Sequence, residues 1–376
     1  MIYFDNAATG GFKPNAVLDT TFTTLKYLSA NPGRSGHMLS VTGAKRIFET
    51  RESIANFFSC EPERVAFTKN CTEALNLAIF GTLKKGGHVI TTIYEHNSVL
   101  RPLYYLEKLG LITLSIVSPA PDLSLATAIE AAFTKNTYLV VASAVSNVTG
   151  EILPLDDIKR ICKEKGALLL VDGAQGAGHI PLKVQDGINM IAFAGHKGLY
   201  GVMGSGGLVF NKDTDISPFI LGGTGVDTFS TFAPTNYPER LETGTLNLPA
   251  ICALKVGVEY VSRNLDTFAS HLLGATKKVI DELSLINGIK IYSKANPSGI
   301  VSFELENLPS TEVSDILDKE FDVAVRGGFH CAPKMHEFLH TAENGLVRVS
   351  LAVQNSSLEI DYFLSAIKKL ATREFV

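Results

Sequence analysis

One lysine follows an apolar run at a point where chemistry is possible. In AFAGHKGLYG, residues 192–201, Lys197 lies among glycines, and glycines let a backbone approach another group closely. In the stretch LLLVDGAQ, a second apolar run, LLLV, is followed directly by Asp172. A lysine and an aspartate at neighbouring strand ends indicate either a structural ion pair or a pyridoxal phosphate site. In such a site the lysine binds the cofactor aldehyde and the carboxylate keeps the pyridine nitrogen protonated.

Partners for a phosphate group and a flat ring occur earlier in the chain. TKNCTEALNLAIF predicts a helix that begins near Cys71 and has Thr72 in its first turn. Free N–H groups at a helix start bind anions, although the same pattern also describes an ordinary helix cap. His96 in TTIYEHNSV follows another strand candidate. Its ring either stacks on a cofactor or has a structural role.

A cysteine near the C-terminus is a candidate nucleophile. In VRGGFHCAPKMHEFLH, Cys331 lies beside His330 and shortly after Arg326, and neighbouring cations lower the pKa of a thiol. Two other interpretations stay open. Cys331 packs as an inert apolar residue, or it binds zinc together with His330, His336 and His340 in a C-x4-H-x3-H pattern.

The elements that must position these residues alternate between strands and helices. Strands are predicted at RVAF, HVITT, LITLSIV, YLVVAS, ALLLVD, NMIAFA and GGLVF, and helices lie between several of them, such as LDDIKRICKEKG. Near-continuous apolar strands are typical of a mostly parallel sheet buried on both faces. Ligands bind beyond the carboxyl ends of such strands, where Asn147, Asp172, Gln175, His196 and Lys197 are expected.

A smaller α/β domain is predicted at the C-terminal end. Its candidate strands are IKIYS, GIVSFEL, DVAVR and LVRVSL, and its candidate helices are STEVSDILDKEF and LEIDYFLSAIKKL. The predicted division is an N-terminal segment, 1–20, that packs near the small domain, a large domain, 21–255, and a small domain, 256–376.

Composition restricts the class of protein. The 376 residues are 45% apolar and 19% charged, with a formal net charge of -4. No basic cluster indicates nucleic-acid binding, and no apolar run is long enough to predict a membrane span. Five scattered cysteines without a CxxC pair predict a reduced, cytoplasmic protein.

Seven motifs in a fixed order resemble the class V aminotransferase family of pyridoxal phosphate enzymes, and within it the SufS/NifS-like cysteine desulfurases. They are TEALN, EHNS, SNVTG, VDGAQ, GHK, ETGT and RGGFHCAP. The resemblance extends from FDNAAT near the start to VRVSL and the final helix. It implies an α/β fold of the PLP-dependent transferase fold type I. It also implies conversion of L-cysteine, or a related amino acid such as selenocysteine, to L-alanine.

The resemblance implies a role for each matching residue. Lys197 would be the Schiff-base lysine, Asp172 the partner of the pyridine nitrogen and Cys331 the residue that receives sulfur as a persulfide. The other implied roles fall on His96 over the ring, on Asn147 and Gln175 at the substrate or ring oxygen, on Cys71 at the cofactor, on Thr72, His196 and Thr245 at the phosphate, and on Arg348, Arg34 and Arg326 at the substrate. Thr245 would come from the second subunit of a homodimer, and a separate protein would accept the sulfur.

Three residues depart from the family pattern. Ala194 and Cys71 stand where the family commonly has hydroxyl residues, and Phe329 replaces a polar residue. A hydrogen bond to a charged group contributes roughly 1.5–3 kcal/mol. Of the properties that the resemblance implies, the affinity for the cofactor is therefore the one that these changes affect most. Two alternatives remain: another class V lyase or aminotransferase in which Cys331 is not catalytic, and a non-catalytic scaffold, which would need neither Lys197 nor Asp172.

Overall fold

The strands of the computed structural model, which describes residues 1–184 and 187–372, follow the predicted apolar runs. In chain order they are β1 (Ile2–Tyr3), β2 (Val65–Thr68), β3 (Gly87–Thr92), β4 (Ile112–Val117), β5 (Thr137–Ser143), β6 (Leu168–Asp172), β7 (Met190–Ala194), β8 (Gly206–Phe210), β9 (Ile289–Ile291), β10 (Ile300–Leu305), β11 (Val323–Ala324) and β12 (Val347–Ser350).

The helices lie between these strands and at both ends of the chain. They are α1 (Asn15–Tyr27), α2 (Met38–Phe58), α3 (Cys71–Gly81), α4 (Asn97–Lys108), α5 (Leu125–Ala131), α6 (Leu155–Lys165), α7 (Leu248–Ser262), α8 (Leu265–Leu283), α9 (Ser310–Phe321), α10 (Pro333–Phe338) and α11 (Ser357–Thr372). Among them no helix is both long and apolar enough to cross a membrane.

The largest sheet has seven strands in the order β2-β8-β7-β6-β5-β3-β4. Strands β4, β3, β5, β6 and β7 pair in parallel, and β8 is antiparallel to both β7 and β2. Strands β7 and β8 are buried along their whole length and contain no polar side chain, as expected for strands inside a sheet that is covered on both faces. The predicted mostly parallel sheet is confirmed.

The two faces of this sheet bury different side chains. Val140 and Leu169 belong to one apolar cluster, whereas Val141 and Leu170 belong to the cluster on the other face. This alternation follows from the two-residue period of a strand. Helices cover both faces. Because β4, β3, β5, β6 and β7 run in parallel, their carboxyl ends lie at one common edge.

Helix α6 illustrates how the sequence sets an element's limits. Asp156 and Asp157 lie in its first turn and Lys163 and Lys165 in its last, each opposite in sign to the nearby end of the helix dipole. Gly166 then ends the helix in the left-handed conformation, at φ 72°.

A separate apolar cluster forms around the C-terminal elements. It joins α8, α9 and α11 to an antiparallel sheet of order β12-β10-β9, and it includes Phe4 of the N-terminal segment. Strand β1 pairs in parallel with β11. The predicted boundaries after residues 20 and 255 both fall within helices, α1 and α7, so the division into domains stays a prediction.

Candidate active site

The carboxyl edge of the parallel sheet carries the predicted polar residues. Asp172 ends β6, while His96, Asn147 and Lys197 lie in the segments that follow β3, β5 and β7. A cavity of about 90 Å³ opens there. The predicted residues that line it are Cys71, Thr72, His96, Asn147, Asp172, Gln175, His196 and Lys197, together with Ala194.

Asp172 accepts its hydrogen bonds on one oxygen. Oδ1 accepts from the backbone N–H of Ala174 at 2.9 Å and from the thiol of Cys71 at 3.4 Å. Burial, reinforced by the charge of Asp172, raises the pKa of the Cys71 thiol well above its ordinary value. Cys71 is therefore a neutral donor to the carboxylate, and Oδ2 remains for a donor inside the cavity.

The Lys197 side chain is half-buried and lines the cavity. Loss of solvation lowers the pKa of Lys197, and the cationic Arg348 and Arg326 lower it further, while Asp172 and Cys71 oppose the shift. A lysine with a lowered pKa has a larger fraction of free amine, which is the form that attacks a carbonyl group or removes a proton.

The glycines around Lys197 serve the packing of the loop. A Cβ atom at Gly198 would lie 2.5 Å from the Ala177 carbonyl oxygen, and one at Gly195 would lie 2.3 Å from Ser205 Oγ. The expected close approach exists, and the nearest group in each case belongs to the protein. The glycines thus fix the path of the backbone on either side of Lys197.

His96 begins a chain of hydrogen bonds that reaches Thr72. Its Nδ1 accepts from the Ser98 backbone N–H at 3.0 Å and lies 2.9 Å from Ser98 Oγ, which lies 2.8 Å from Thr72 Oγ1. Burial lowers the pKa of His96 to about 4, so the ring is neutral near pH 7 and carries its proton on Nε2. Sequence analysis missed Ser98, although it stands two residues after His96 in the EHNS motif.

Two residues of the N-terminal segment contact His196. Its Nδ1 lies 3.0 Å from Thr9 Oγ1, and its carbonyl oxygen accepts from Lys13 Nζ at 2.9 Å. Burial and the charges of Lys197 and Lys13 lower the pKa of His196 to about 4, and burial lowers that of Lys13 to about 8. Lys13, like Ser98, was not predicted from the sequence as a residue near the site.

Cys331 lies on the loop between β11 and α10, outside the lining of the cavity. The thiol is exposed, and Arg326 Nη2 lies 3.9 Å from its Sγ. The Cys331 carbonyl accepts from the Asn97 N–H at 2.7 Å, which joins the loop to the start of α4. His330 is only 2% exposed, and burial lowers its pKa to about 2. The expectation that His330 adds positive charge is therefore wrong, and Arg326 supplies it.

The histidines near Cys331 have partners within the protein. His330 Nε2 lies 3.1 Å from the Leu346 carbonyl and His336 Nδ1 lies 2.8 Å from Thr341 Oγ1, while His340 is exposed. Within residues 1–184 and 187–372, no group of three His, Cys, Asp or Glu side chains is placed to hold a metal ion. The arrangement does not support the zinc interpretation.

Arg348 and Asn147 connect the C-terminal elements to the cavity wall. Arg348 is 1% exposed and donates from Nη1 to the Asn147 carbonyl at 2.9 Å and from Nη2 to Asp5 Oδ1 at 3.1 Å. Asn147 Nδ2 donates to the His330 carbonyl at 2.7 Å, and Gln175 Nε2 donates to the Ala7 carbonyl at 2.8 Å. Arg348 is close to the site but does not line the cavity.

Arg34 and Thr245 lie away from the other predicted residues. Arg34 Nη2 donates to the carbonyls of Gly223 at 3.2 Å and Gly244 at 3.4 Å, and the exposed Thr245 accepts from Asn31 Nδ2 at 3.4 Å. Neither residue lines the cavity of its own chain. Their roles stay predictions.

Comparison with known proteins agrees with this geometry. The family model described as aminotransferase class-V matches residues 2–363. The chain belongs to the class V aminotransferase family. A "probable cysteine desulfurase" of Pyrococcus abyssi is 34% identical over 385 residues, covering 98% of this chain and 94% of that protein. Another of Methanothermobacter thermautotrophicus is 31% identical over 379 residues, with 98% and 94% covered.

A solved structure extends the likeness to three dimensions. The apo cysteine desulfurase of Thermococcus onnurineus matches with a TM-score of 0.91 at 30% identity, covering 99% of this chain and 95% of that one. The predicted family and the PLP-dependent transferase fold type I are confirmed. As a class V aminotransferase family member, the chain is a pyridoxal-phosphate-dependent enzyme related to the cysteine desulfurases.

The residues of this class V site fit pyridoxal phosphate. Asn147 Oδ1 is buried without a hydrogen-bond partner among the described residues, and both side-chain bonds to Asp172 fall on Oδ1, so that its Oδ2 can accept from a donor in the cavity. Asn70 caps α3 by accepting from the Glu73 N–H, and the N–H groups of the two residues before Glu73 belong to the anion-binding end of the helix. Ala194 lines the same cavity with no hydroxyl group.

Proposed function

We propose that this protein is a cysteine desulfurase, which converts L-cysteine to L-alanine and retains the sulfur as a persulfide on Cys331. The observation that carries the proposal is the placement of an exposed Cys331 thiol 3.9 Å from Arg326. Its loop is bonded to Asn97 at the start of α4 and to Asn147, which lines the cavity. The names of the relatives support the same reaction. A class V enzyme that only eliminates or transfers an amino group has no need of this thiol.

The proposal assigns the cofactor to the cavity residues. Lys197 would bind the aldehyde, Asp172 the pyridine nitrogen and His96 the ring face. Thr72 and His196 would hold the phosphate, while Asn147 and Gln175 contact the ring oxygen or the substrate, and Cys71 supports Asp172. Bound pyridoxal phosphate supplies an electron-withdrawing ring that labilises the bonds at the substrate Cα.

Lys197 has the properties of the base. The lowered pKa of Lys197 increases the fraction of its free amine, which is the form that would accept the proton from the substrate Cα. Because the His96 ring is neutral, it adds no second positive charge to the cavity. Arg348 and Arg326 would bind the substrate carboxylate, for which a guanidinium is well shaped.

Cys331 then takes the sulfur. Its thiolate forms a bond with the substrate sulfur while the bond from that sulfur to the substrate Cβ breaks. The electron pair of the broken bond stays on the substrate, and protonation there yields the methyl group of alanine. Arg326 would stabilise the thiolate before the attack. Selenocysteine presents the same connectivity and is included in the proposed substrate class.

The exposure of Cys331 supports transfer of the sulfur to a separate protein, since an acceptor thiol must reach the persulfide. A cytoplasmic location belongs to the same proposal. All five cysteines are free thiols, and a reducing compartment keeps them so.

The test is product formation from L-cysteine by the enzyme loaded with pyridoxal phosphate. We expect alanine and sulfide in equal amounts with a thiol reductant, and persulfide on Cys331 without one, found by peptide mass spectrometry. The control Cys60→Ala removes a half-buried thiol elsewhere and should retain activity. Pyruvate or an amino-group exchange product in place of alanine would refute the desulfurase and favour another class V reaction.

A homodimer is part of the proposal. Large apolar side chains are exposed on α1, with Phe22 at 61% and Leu25 at 56%, and on the loop before Thr245, with Phe229 at 101% and Phe232 at 83%. Large apolar side chains exposed in this number favour an interaction face. Thr245 is itself exposed, as a role at the phosphate of the partner subunit requires.

Complementation tests the shared site. Lys197→Ala and Thr245→Val homodimers should each be inactive or poorly loaded. In a mixed dimer one site carries both changes and the other carries neither, so about half the activity should return, as two-fold symmetry requires. Mixed dimers identified by mass that show no recovered activity would contradict the shared site.

A further inference from the structure

Arg348 is bound on the inside of the protein. Its side chain is 1% exposed, and its two terminal nitrogens donate to the Asn147 carbonyl and to Asp5 Oδ1. Its Nε has no partner among the described residues. Burial lowers the pKa of Arg348 to about 10, and Asp5 opposes the shift. A buried cation of this kind needs an anion beside it, and Asp5 is the carboxylate that provides it.

The position of Asp5 is set by backbone pairing. Asp5 forms a parallel bridge with Ser350, and the Ser350 N–H donates to the Phe4 carbonyl. The next residue, Asn6, donates from Nδ2 to the Ser350 carbonyl at 2.9 Å, and the Ala7 N–H donates to Ser350 Oγ at 2.9 Å. These contacts hold the Asp5 carboxylate against the residue two before Ser350, which is Arg348.

We propose that Asp5 occupies, in the substrate-free enzyme, the place on Arg348 that the carboxylate of the amino-acid substrate takes, and that it thereby sets the substrate affinity. The proposal rests on the proposed function, in which Arg348 binds that carboxylate. Arg348 does not line the cavity, and Asp5 already accepts from its Nη2, so a substrate carboxylate that binds Nη2 competes with Asp5. Of the two acceptors, the Asp5 carboxylate is the one that a substrate can replace. Its side chain is partly exposed, at 22%, whereas the Asn147 carbonyl belongs to the main chain.

Asp5 is in this sense a specificity-determining residue. A substrate without a carboxylate cannot replace it, because Arg348 would then lose its counter-charge. Free amino acids pass this requirement, whereas amines and amino-acid esters do not. This requirement concerns only the carboxylate of the substrate and does not depend on how the sulfur is removed.

The test compares Asp5→Asn with wild type, both loaded with pyridoxal phosphate. The probe is propionate, a carboxylate that lacks the amine and cannot react with an aldehyde, measured by calorimetry against chloride at equal ionic strength. We expect Asp5→Asn to bind propionate at least about tenfold more tightly, equivalent to about 1.4 kcal/mol. We also expect a lower KM for cysteine with kcat no higher than in wild type.

The controls separate this proposal from the proposed function. Asp322→Asn removes an exposed carboxylate that pairs with the chain N-terminus and should leave propionate affinity unchanged. Arg348→Gln should abolish propionate binding. If it does not, the role of Arg348 in the proposed function fails, and the role of Asp5 fails with it. If Arg348→Gln abolishes binding while Asp5→Asn binds propionate equally or more weakly, Asp5 only positions Arg348 and the proposal is overturned. Asp5→Ser carries the same expectation and replaces Asp5→Asn if that variant does not fold.

Discussion

The cavity around Lys197 and the loop around Cys331 place two reactive groups in opposite environments. Asp172 is 5% exposed at the end of a central strand, and the half-buried Lys197 lines the same cavity. Cys331 is exposed on a loop outside the large sheet. Proton removal benefits from a site of low dielectric constant, where charges act strongly. Sulfur delivery needs a thiol that another molecule can reach, so the two steps favour different places.

The exposed thiol is nevertheless held in place. His330 and Cys331 both adopt left-handed backbone conformations, at φ 48° and 58°. Such a conformation in a residue other than glycine costs about 1–3 kcal/mol, and the buried His330 ring and the bond from Asn97 to the Cys331 carbonyl offset it. The loop therefore combines exposure of the side chain with a fixed backbone.

The largest expected effect separates the two regions by reaction step. Lys197→Ala should lose both substrate activation and sulfide release, by at least roughly 10²–10⁴-fold, as expected for loss of a positioned base. Cys331→Ala should still show a spectral change when cysteine binds, yet lose the persulfide and nearly all sulfide. Absorbance spectra and sulfide assays on both variants measure the two steps.

Borohydride reduction followed by peptide mapping checks the first variant. The adduct should lie on Lys197 in the wild type and be absent from Lys197→Ala, while Lys183→Met, which changes an exposed lysine, should keep it. An adduct on another lysine of the wild type, or sulfide release by Cys331→Ala at the wild-type rate, would remove the distinction between the two regions.

Thiol labelling sharpens the comparison with a smaller effect. Burial raises the pKa of Cys71 well above its ordinary value and that of Cys162 to about 12, and each unit lowers the thiolate fraction about tenfold. The exposed Cys331 should therefore react with maleimide more than about tenfold faster than either. Time-resolved mass spectrometry of the native enzyme measures the rates, with unfolded protein as the reference. Equal rates at Cys71 and Cys331 would contradict the difference in environment.

The same contrast separates what the sequence predicts from what it does not. Asp172, His96, Asn147 and Lys197 follow apolar strands, and parallel strands bring their carboxyl ends together, so their meeting in one cavity followed from local patterns. Asp5 meets Arg348 across 343 positions of the chain. That pair depends on how β12 aligns with the N-terminal segment, and no local pattern records such an alignment.

Charge states were equally hidden in the sequence. His330 precedes a reactive thiol and was expected to be a cation, but its 2% exposure keeps it neutral. The glycines beside Lys197 were predicted correctly as points of close approach, yet the group approached is the protein's own backbone or Ser205. Burial and packing partners arise from the folded whole, so residue type alone does not give them.

The smallest expected effect is the dependence of stability on pH, to which buried histidines inside and outside the cavity contribute. Burial lowers the pKa of His96, His179 and His196 to about 4 each, below the value of about 6.5 in an unfolded chain. Between these values the unfolded state binds more protons. The free energy of unfolding should thus be fully maintained above about pH 6.5 and decrease as the pH falls to about 4.

One buried carboxyl group opposes this trend. Burial raises the pKa of Glu95 to about 7, so its contribution is present below the unfolded value and is lost as the pH rises through 7. Three histidines outweigh one glutamate, and the net change on acidification remains destabilising. His96→Gln should reduce the decrease between pH 6.5 and 4 by on the order of 1 kcal/mol, allowing for partial exposure. Urea unfolding across this range measures it, with the exposed His271→Gln as the control. A His96→Gln profile parallel to that of wild type would show that folding does not lower the pKa of His96 and would contradict the burial of its ring.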